Sequence, residues 1–287
     1  MEALFSQNRK VLIAYITVGY PHLEATVKAV TLLERSGVDM VELGIPFSDP
    51  LVDGITIQQA SYTALKNGTT PGVCLELAGR IKRGGSALPL VFMTYYNPVL
   101  SYGLELFCAD SARAGIDGLI VPDLPLEEAG CLEEAAAQNN LALVYLVAPT
   151  SSEERIEEAA RRSRGFIYLV SVTGVTGMRK ELPPGLVSFA ARVRRRTSKP
   201  LCMGFGISSP QQARMLAGCV DGIIVGSSIV HLMGNLKDWE PALADLARSF
   251  KEALRAGGKG QQKEALEECL PGEGVAPQDI YEEGDLF

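Results

Sequence analysis

The sequence predicts one α/β domain, a closed (β/α)8 TIM barrel with extra N-terminal and loop helices, on three observations. Eight apolar runs of strand length recur along the chain, helix-period segments separate them, and no Gly-x-Gly-x-x-Gly follows the first run. The runs lie at 11–17, 40–44, 89–94, 118–121, 142–147, 166–170, 200–204 and 222–225. Each is continuous rather than alternating, as expected of strands buried on both faces in a parallel sheet. An open doubly wound sheet uses the same units, but its dinucleotide-binding form needs the glycine fingerprint that is missing here.

The segments between the runs read as helices over 23–36, 104–114, 127–138, 152–163, 186–197 and 210–217. Ser151 or Ser152 before Glu153-Glu154, and Ser208-Ser209-Pro210 before Gln211, are start signals. Ser36-Gly37, Ala114-Gly115 and Ala217-Gly218 read as C-terminal caps that turn the chain into the next strand. The stretch 48–85 is longer than one connection needs, which predicts a functional loop and an extra helix. The barrel domain is expected over 1–256. An acidic tail, 257–287, is expected to be mobile because it is rich in Gly and Glu and carries two prolines.

The net charge of −7 is concentrated in that tail, where eight carboxylates against two lysines give −6 and leave −1 for the barrel. A nearly neutral body lacks the basic face that nucleic-acid binding requires. The six cysteines form no CxxC pair and only two histidines are present, which disfavours a metal site and fits thiols in a reducing compartment. Arg9-Lys10 and the following apolar run faintly imitate a signal peptide, but the run is short and lacks a small-residue cleavage pattern. No stretch reaches the ~20 apolar residues of a membrane span. A soluble, cytoplasmic protein is expected.

In such barrels, chemistry sits at the C-terminal ends of the strands. Thr17 and Gly19 follow the first run. Glu42 stands inside the second, before Pro46, Asp49, Pro50 and Asp53. Tyr95, Tyr96 and Asn97 follow the third, and Asp123 the fourth. A carboxylate inside an apolar strand costs several kcal/mol unless it is paired or protonated. Glu42 is therefore either a structural carboxylate with a partner or a general acid/base with a raised pKa. Asp53 before Gly54 would by itself be an ordinary turn residue; its place just after the strand of Glu42 raises its interest.

Glycine-rich ends follow the sixth, seventh and eighth runs: Gly177, Gly206-Ile207-Ser208, and Gly226-Ser227. Small residues at adjacent strand ends let backbone N–H groups converge on an anion, so a phosphorylated small-molecule substrate is expected. No Ser–His or Cys–His pair and no strand lysine is present for covalent catalysis. Carboxylate acid/base chemistry on a phosphorylated substrate is what remains.

The phrase Val41-Glu42-Leu43-Gly44-Ile45-Pro46-Phe47-Ser48-Asp49-Pro50-Leu51-Val52-Asp53-Gly54 closely resembles the signature of tryptophan synthase α subunits. Tyr95-Tyr96-Asn97-Pro98, Val121-Pro122-Asp123-Leu124-Pro125, 171–177 and 204–208 add to the resemblance, which spans about 4–254. It implies a lyase that splits indole-3-glycerol phosphate into indole and D-glyceraldehyde 3-phosphate without a cofactor of its own. Glu42 would then be the general acid/base and Asp53 the carboxylate on the indole N–H. Tyr15, Met93, Ile120 and Phe205 would wall the indole, and Tyr168 would stand near the glycerol phosphate. Gly177, Gly206, Gly226 and Ser227 would hold the phosphate. The resemblance further implies an αββα heterotetramer with a pyridoxal-phosphate β subunit that receives the indole, docked on Pro46, Asp49, Pro50, Asn97 and Pro98. The chain departs from the family pattern at Ile55, where proline is usual, and at Tyr15, where phenylalanine is common. A stand-alone lyase releasing free indole, a phosphosugar isomerase, and a non-catalytic barrel that binds a phosphorylated metabolite are the competing readings.

Overall fold

The computed structural model describes residues 1–5, 9–170, 185–204 and 206–257. Nine parallel strand segments form one sheet: β1 (Val11–Thr17), β2 (Met40–Gly44), β3 (Leu90–Met93), β4 (Gly118–Ile120), β5 (Ala142–Val144), β6 (Leu146–Val147), β7 (Ile167–Val170), β8 (Leu201–Gly204) and β9 (Gly222–Val225). Their order is β5-β4-β3-β2-β1-β9-β8-β7-β6. β5 and β6 are the two halves of one strand, the expected run 142–147, interrupted only at Tyr145. There the backbone N–H turns to Ser163 Oγ at 3.0 Å, while the carbonyl still accepts from Tyr168 N–H at 3.0 Å. The nine segments are therefore the eight strands of a closed barrel, as the sequence predicts.

Eleven helices surround it among the described residues: α1 (Leu23–Arg35), α2 (Ile55–Lys66), α3 (Pro71–Arg83), α4 (Tyr96–Tyr102), α5 (Leu104–Arg113), α6 (Gly130–Gln138), α7 (Glu153–Arg162), α8 (Leu186–Arg194), α9 (Pro210–Leu216), α10 (Ser227–Asn235) and α11 (Trp239–Gly257). The stretch 48–85 holds the loop and the extra helix expected of it: α2 and α3 both lie there. Thr70 caps α3, accepting from Val73 N–H, with Pro71 just inside the helix. Ser152 and Ser209 cap α7 and α9, and Ser209 forms a reciprocal capping box with Gln212. Gly37 and Gly115 take the left-handed conformation expected of helix stops, at φ +89° and +82°. Gly218 does not; that turn is closed by Cys219 N–H on Leu216 C=O instead. The predicted N-terminal helix is one 3-10 turn, Glu2–Leu4. Beside it Phe5 packs on Phe166 with ring centroids 6.1 Å apart, which closes the lower mouth of the barrel. Gly257 is the buried last residue of α11. The tail beyond it lies outside the described residues.

Two apolar layers follow from strand alternation. Val41, Leu43, Phe92 and Leu119 face the helices, whereas Val11, Ile13, Tyr15, Met40, Val91, Met93, Ile120, Tyr168, Cys202 and Ile224 fill the interior. Glycines on neighbouring strands make room for the interior aromatics. A Cβ at Gly44 would meet the Tyr15 hydroxyl at 2.1 Å, and one at Gly204 the Tyr168 hydroxyl at 2.5 Å.

At the lower end a buried ion pair fastens the last helix to the first strands. Lys251 of α11 is 5 % exposed and pairs with Asp39, which also accepts the Leu12 N–H at 2.7 Å and lies 3.5 Å from Arg9. Asp39→Ala should lower unfolding stability by ~3–5 kcal/mol, because it leaves the Lys251 ammonium buried and unpaired. Lys251→Met should cost less, since Asp39 keeps Arg9 and the Leu12 N–H. Urea titration of the two variants checks this; a milder effect for Asp39→Ala would refute the ranking.

Candidate active site

Glu42 is the middle residue of β2. Its neighbours Val41 and Leu43 pack outward, so period-two alternation turns Glu42 into the barrel. Register places it beside Tyr15 of β1 and Val91 of β3. It is 0 % exposed, and neither carboxyl oxygen has a hydrogen-bond partner among the described residues. Burial pushes its pKa up to about 8, and the nearby negative charge of Asp53 adds to the rise.

Asp53 closes the loop 45–54 just before α2. It is 8 % exposed. Burial raises its pKa to about 6, against a hydrogen bond that Tyr95 donates at 3.0 Å. Gln58 of α2 reaches back to the Asp53 carbonyl at 2.8 Å, which ties the loop to the helix that follows it. Two carboxyls whose environments set them about two units apart suit paired acid and charge-stabilising roles.

Both line one cavity at the C-terminal mouth, of about 420 Å³ with its open entrance included. Tyr15, Met93, Ile57, Ile207 and Ile224 give it apolar walls, and Tyr168 lines it from β7. Gly206, Gly226 and Ser227 line the other side. The structure thus brings together Tyr15, Glu42, Asp53, Met93, Tyr168, Gly206, Gly226 and Ser227 of the residues expected from sequence. Ile120 points into the barrel interior in register with Met93 and is fully buried, one packing contact back from the cavity lining. Gly177 and Phe205 lie outside the described residues. Three lining isoleucines were not anticipated. Ile224 was legible as an inward position two residues before Gly226, whereas Ile57 depends on how α2 docks over the barrel mouth and Ile207 on how its loop folds.

The glycine end of the cavity is more specific than a row of glycines. The backbone N–H groups of Ser208 and Ser209 donate to Gln212 Oε1 at 2.8 and 3.2 Å, within the α9 cap. The N-terminus of α10 has no side-chain cap. With Gly226 and Ser227 lining the cavity, this helix end offers N–H groups and a positive partial charge to an anion there. Gly206, at φ +84°, takes a backbone conformation that a side chain would strain. Among the described residues no three His, Cys, Asp or Glu side chains converge as a metal site.

At the rim, Asp49 and Asn97 are exposed, Pro50 and Pro98 half-buried and Pro46 buried. Asn97 and Pro98 lie in the first turn of α4 rather than in a loop. Asp123 supports that turn by accepting the Tyr96 N–H with both oxygens, at 2.9 and 3.1 Å.

The raised pKa of Glu42 has a consequence for stability. The folded state holds its proton up to about pH 8, whereas an ordinary carboxyl loses it near 4.5. The folded state therefore binds more protons between these values. The stability is fully present below pH 4.5 and is lost as pH rises through 8. Wild-type stability should fall by on the order of 3 kcal/mol from pH 5 to 8 through this group alone, and Glu42→Gln should flatten the profile. Denaturant titration at several pH values measures it; an equally steep fall in the variant would place the proton elsewhere.

A family model described as tryptophan synthase alpha chain matches residues 1–256. The chain is 54 % identical over 246 residues to the tryptophan synthase alpha chain of Dehalococcoides mccartyi, covering 86 % of this chain and 94 % of that one. It is 48 % identical over 251 residues to that of Geobacter sulfurreducens, covering 86 % and 93 %. Among solved structures, tryptophan synthase of Mycobacterium tuberculosis superposes with a TM-score of 0.80 at 39 % identity, over 88 % of this chain and 97 % of that one. The alpha chain of Legionella pneumophila gives 0.80 at 33 % identity, over 88 % and 95 %. A barrel with two raised carboxyls at its mouth and relatives this close over almost its whole length is a member of the tryptophan synthase alpha chain family.

Proposed function

We propose that Glu42 and Asp53 carry the retro-aldol cleavage of indole-3-glycerol phosphate in this lyase of tryptophan biosynthesis. The observation that carries the reading is the pair itself: a fully buried glutamic acid with a raised pKa and no partner among the described residues, facing the same cavity as a more acidic aspartate.

The chemistry suits that pair. Glu42 is largely protonated near neutral pH, so it can deliver its proton to indole C3. The resulting ring cation is the electron sink for carbon–carbon cleavage. Asp53, largely ionised at the same pH, balances the charge at the indole nitrogen as it develops. The Glu42 carboxylate then takes the proton of the glycerol hydroxyl next to the breaking bond. The bond's electrons return to the ring, giving indole and D-glyceraldehyde 3-phosphate, and Glu42 is protonated again. Tyr15, Met93 and Ile224 supply the flat apolar space an indole needs, and the phosphate rests on Gly206, Gly226, Ser227 and the α10 N-terminus. Gly177 and Phe205 complete this reading at the phosphate and the indole respectively. Ile120 would shape the indole pocket from beside Met93, its register partner on β4.

The chain is an alpha chain and works with a β subunit. We assign the pair to an αββα heterotetramer whose β subunit holds pyridoxal phosphate and takes up the indole, while this chain needs no cofactor. Asp49, Pro50, Asn97 and Pro98 are the rim residues assigned to docking. No described helix is long and apolar enough to cross a membrane; buried thiols at Cys74, Cys108 and Cys202 suit the reducing cytoplasm to which the protein is assigned.

Glu42→Gln should lower the cleavage rate by at least ~10²-fold with little change in substrate affinity, and Asp53→Asn should lower it strongly because a neutral amide cannot balance the ring cation. Steady-state release of glyceraldehyde 3-phosphate tests both; an active Glu42→Gln protein would overturn the assignment. Titrating the β subunit into the same assay should raise the rate well above that of the isolated chain. A chain already fast alone, with no rise, would be a stand-alone lyase.

A further inference from the structure

Resting on that reading of Asp53, we propose that Tyr95 is a positioning residue that pins the Asp53 carboxylate in the cavity through its phenol hydroxyl. The hydroxyl donates to Asp53 Oδ2 at 3.0 Å and accepts the N–H of Val52 at 3.2 Å. One oxygen therefore grips both the side chain and the backbone of the segment that presents the carboxylate. Among the described residues Tyr95 is the side chain that donates to this carboxylate.

The anchor is better fixed than what it holds. Asp53 belongs to the irregular stretch between β2 and α2, with exposed residues at Ser48, Asp49 and Leu51. Tyr95 is 4 % exposed at the end of β3. Its neighbours are tied to the barrel rim: Thr94 N–H donates to Ile120 C=O at 3.0 Å, and Tyr96 N–H to both oxygens of Asp123. The ring lies 5.4 Å from that of Phe47, at the other end of the same loop. The phenol thus spans the loop, touching it near both ends. Burial and the neighbouring Asp53 charge raise the phenol's own pKa, so it stays a donor throughout the working range. A bond from an un-ionised phenol favours the ionised carboxylate, the form that charge balance at the indole nitrogen requires.

Tyr95→Phe removes the hydroxyl and keeps the ring beside Phe47. With indole-3-glycerol phosphate and the β subunit present, kcat should fall by ~10-fold or more while KM changes less, because the lost interaction acts in the transition state. The acid limb of the kcat profile should move to higher pH, since Asp53 loses the bond that lowers its pKa. Independently of activity, amide hydrogen exchange at Val52 should accelerate by ~10-fold as its acceptor disappears. Unchanged Val52 exchange together with an unmoved acid limb would overturn the proposal. If the wild-type chain with its β subunit fails to cleave the substrate, the proposed reaction fails, and Val52 exchange alone then decides whether Tyr95 pins the loop.

Discussion

The barrel's upper half is organised around one unfavourable act, the burial of the Glu42 carboxyl on the inward face of β2 with no hydrogen-bond partner among the described residues. An apolar site would expel or neutralise such a group, and here it is neutralised, its proton held to about pH 8. The register that sets it beside Tyr15 fixes the neighbouring ring, and that ring fits only because position 44 carries no side chain. Tyr168 likewise depends on Gly204. The cavity is thus a packing solution in which glycines on the strands leave room for tyrosines, and the tyrosines bury an acid beside them.

The two ends of the barrel treat buried carboxyls in opposite ways. Asp39 at the lower end meets Lys251, Arg9 and a backbone N–H, so its charge is satisfied and ties helix to strand. Among the described residues Glu42 is given nothing comparable. A fold that supplies partners to one internal acid and withholds them from another separates holding the chain together from holding a reactive proton. Asp53 is intermediate: it is nearly as buried, yet a single phenol donor keeps it more acidic than Glu42.

Most of the fold was legible because strand burial in a parallel barrel writes itself as continuous apolar runs, and all eight runs became strands. The break at Tyr145 was not legible, since it arises from a serine eighteen residues further on that captures one N–H. The extra helix in 48–85 was legible from the length of that stretch, and Thr70-Pro71 marks where it starts. At the site, Glu42 and the glycines were visible from placement alone. Strand alternation made Ile120 legible as an inward residue, which it is, but not whether Met93 beside it would cover it. Tyr95 stood in plain sight after the third run, but its role depends on a loop reaching across 42 residues of chain, and no local pattern encodes that.

In the closed order of strands, β1 lies between β2 and β9. The first strand to leave the ribosome therefore waits for the last before its outer edge is paired. Val11–Ala14, an apolar stretch that pairs with 222–225, has no partner on that edge until those residues have been made. Exposed edges of this kind are templates for pairing with other chains, and contacts spanning nearly the full sequence form slowly. For a newborn molecule, the hazard lies in the interval between making β1 and making β9, and the clasp of Lys251 on Asp39 comes later still, marking the moment at which the circle is shut.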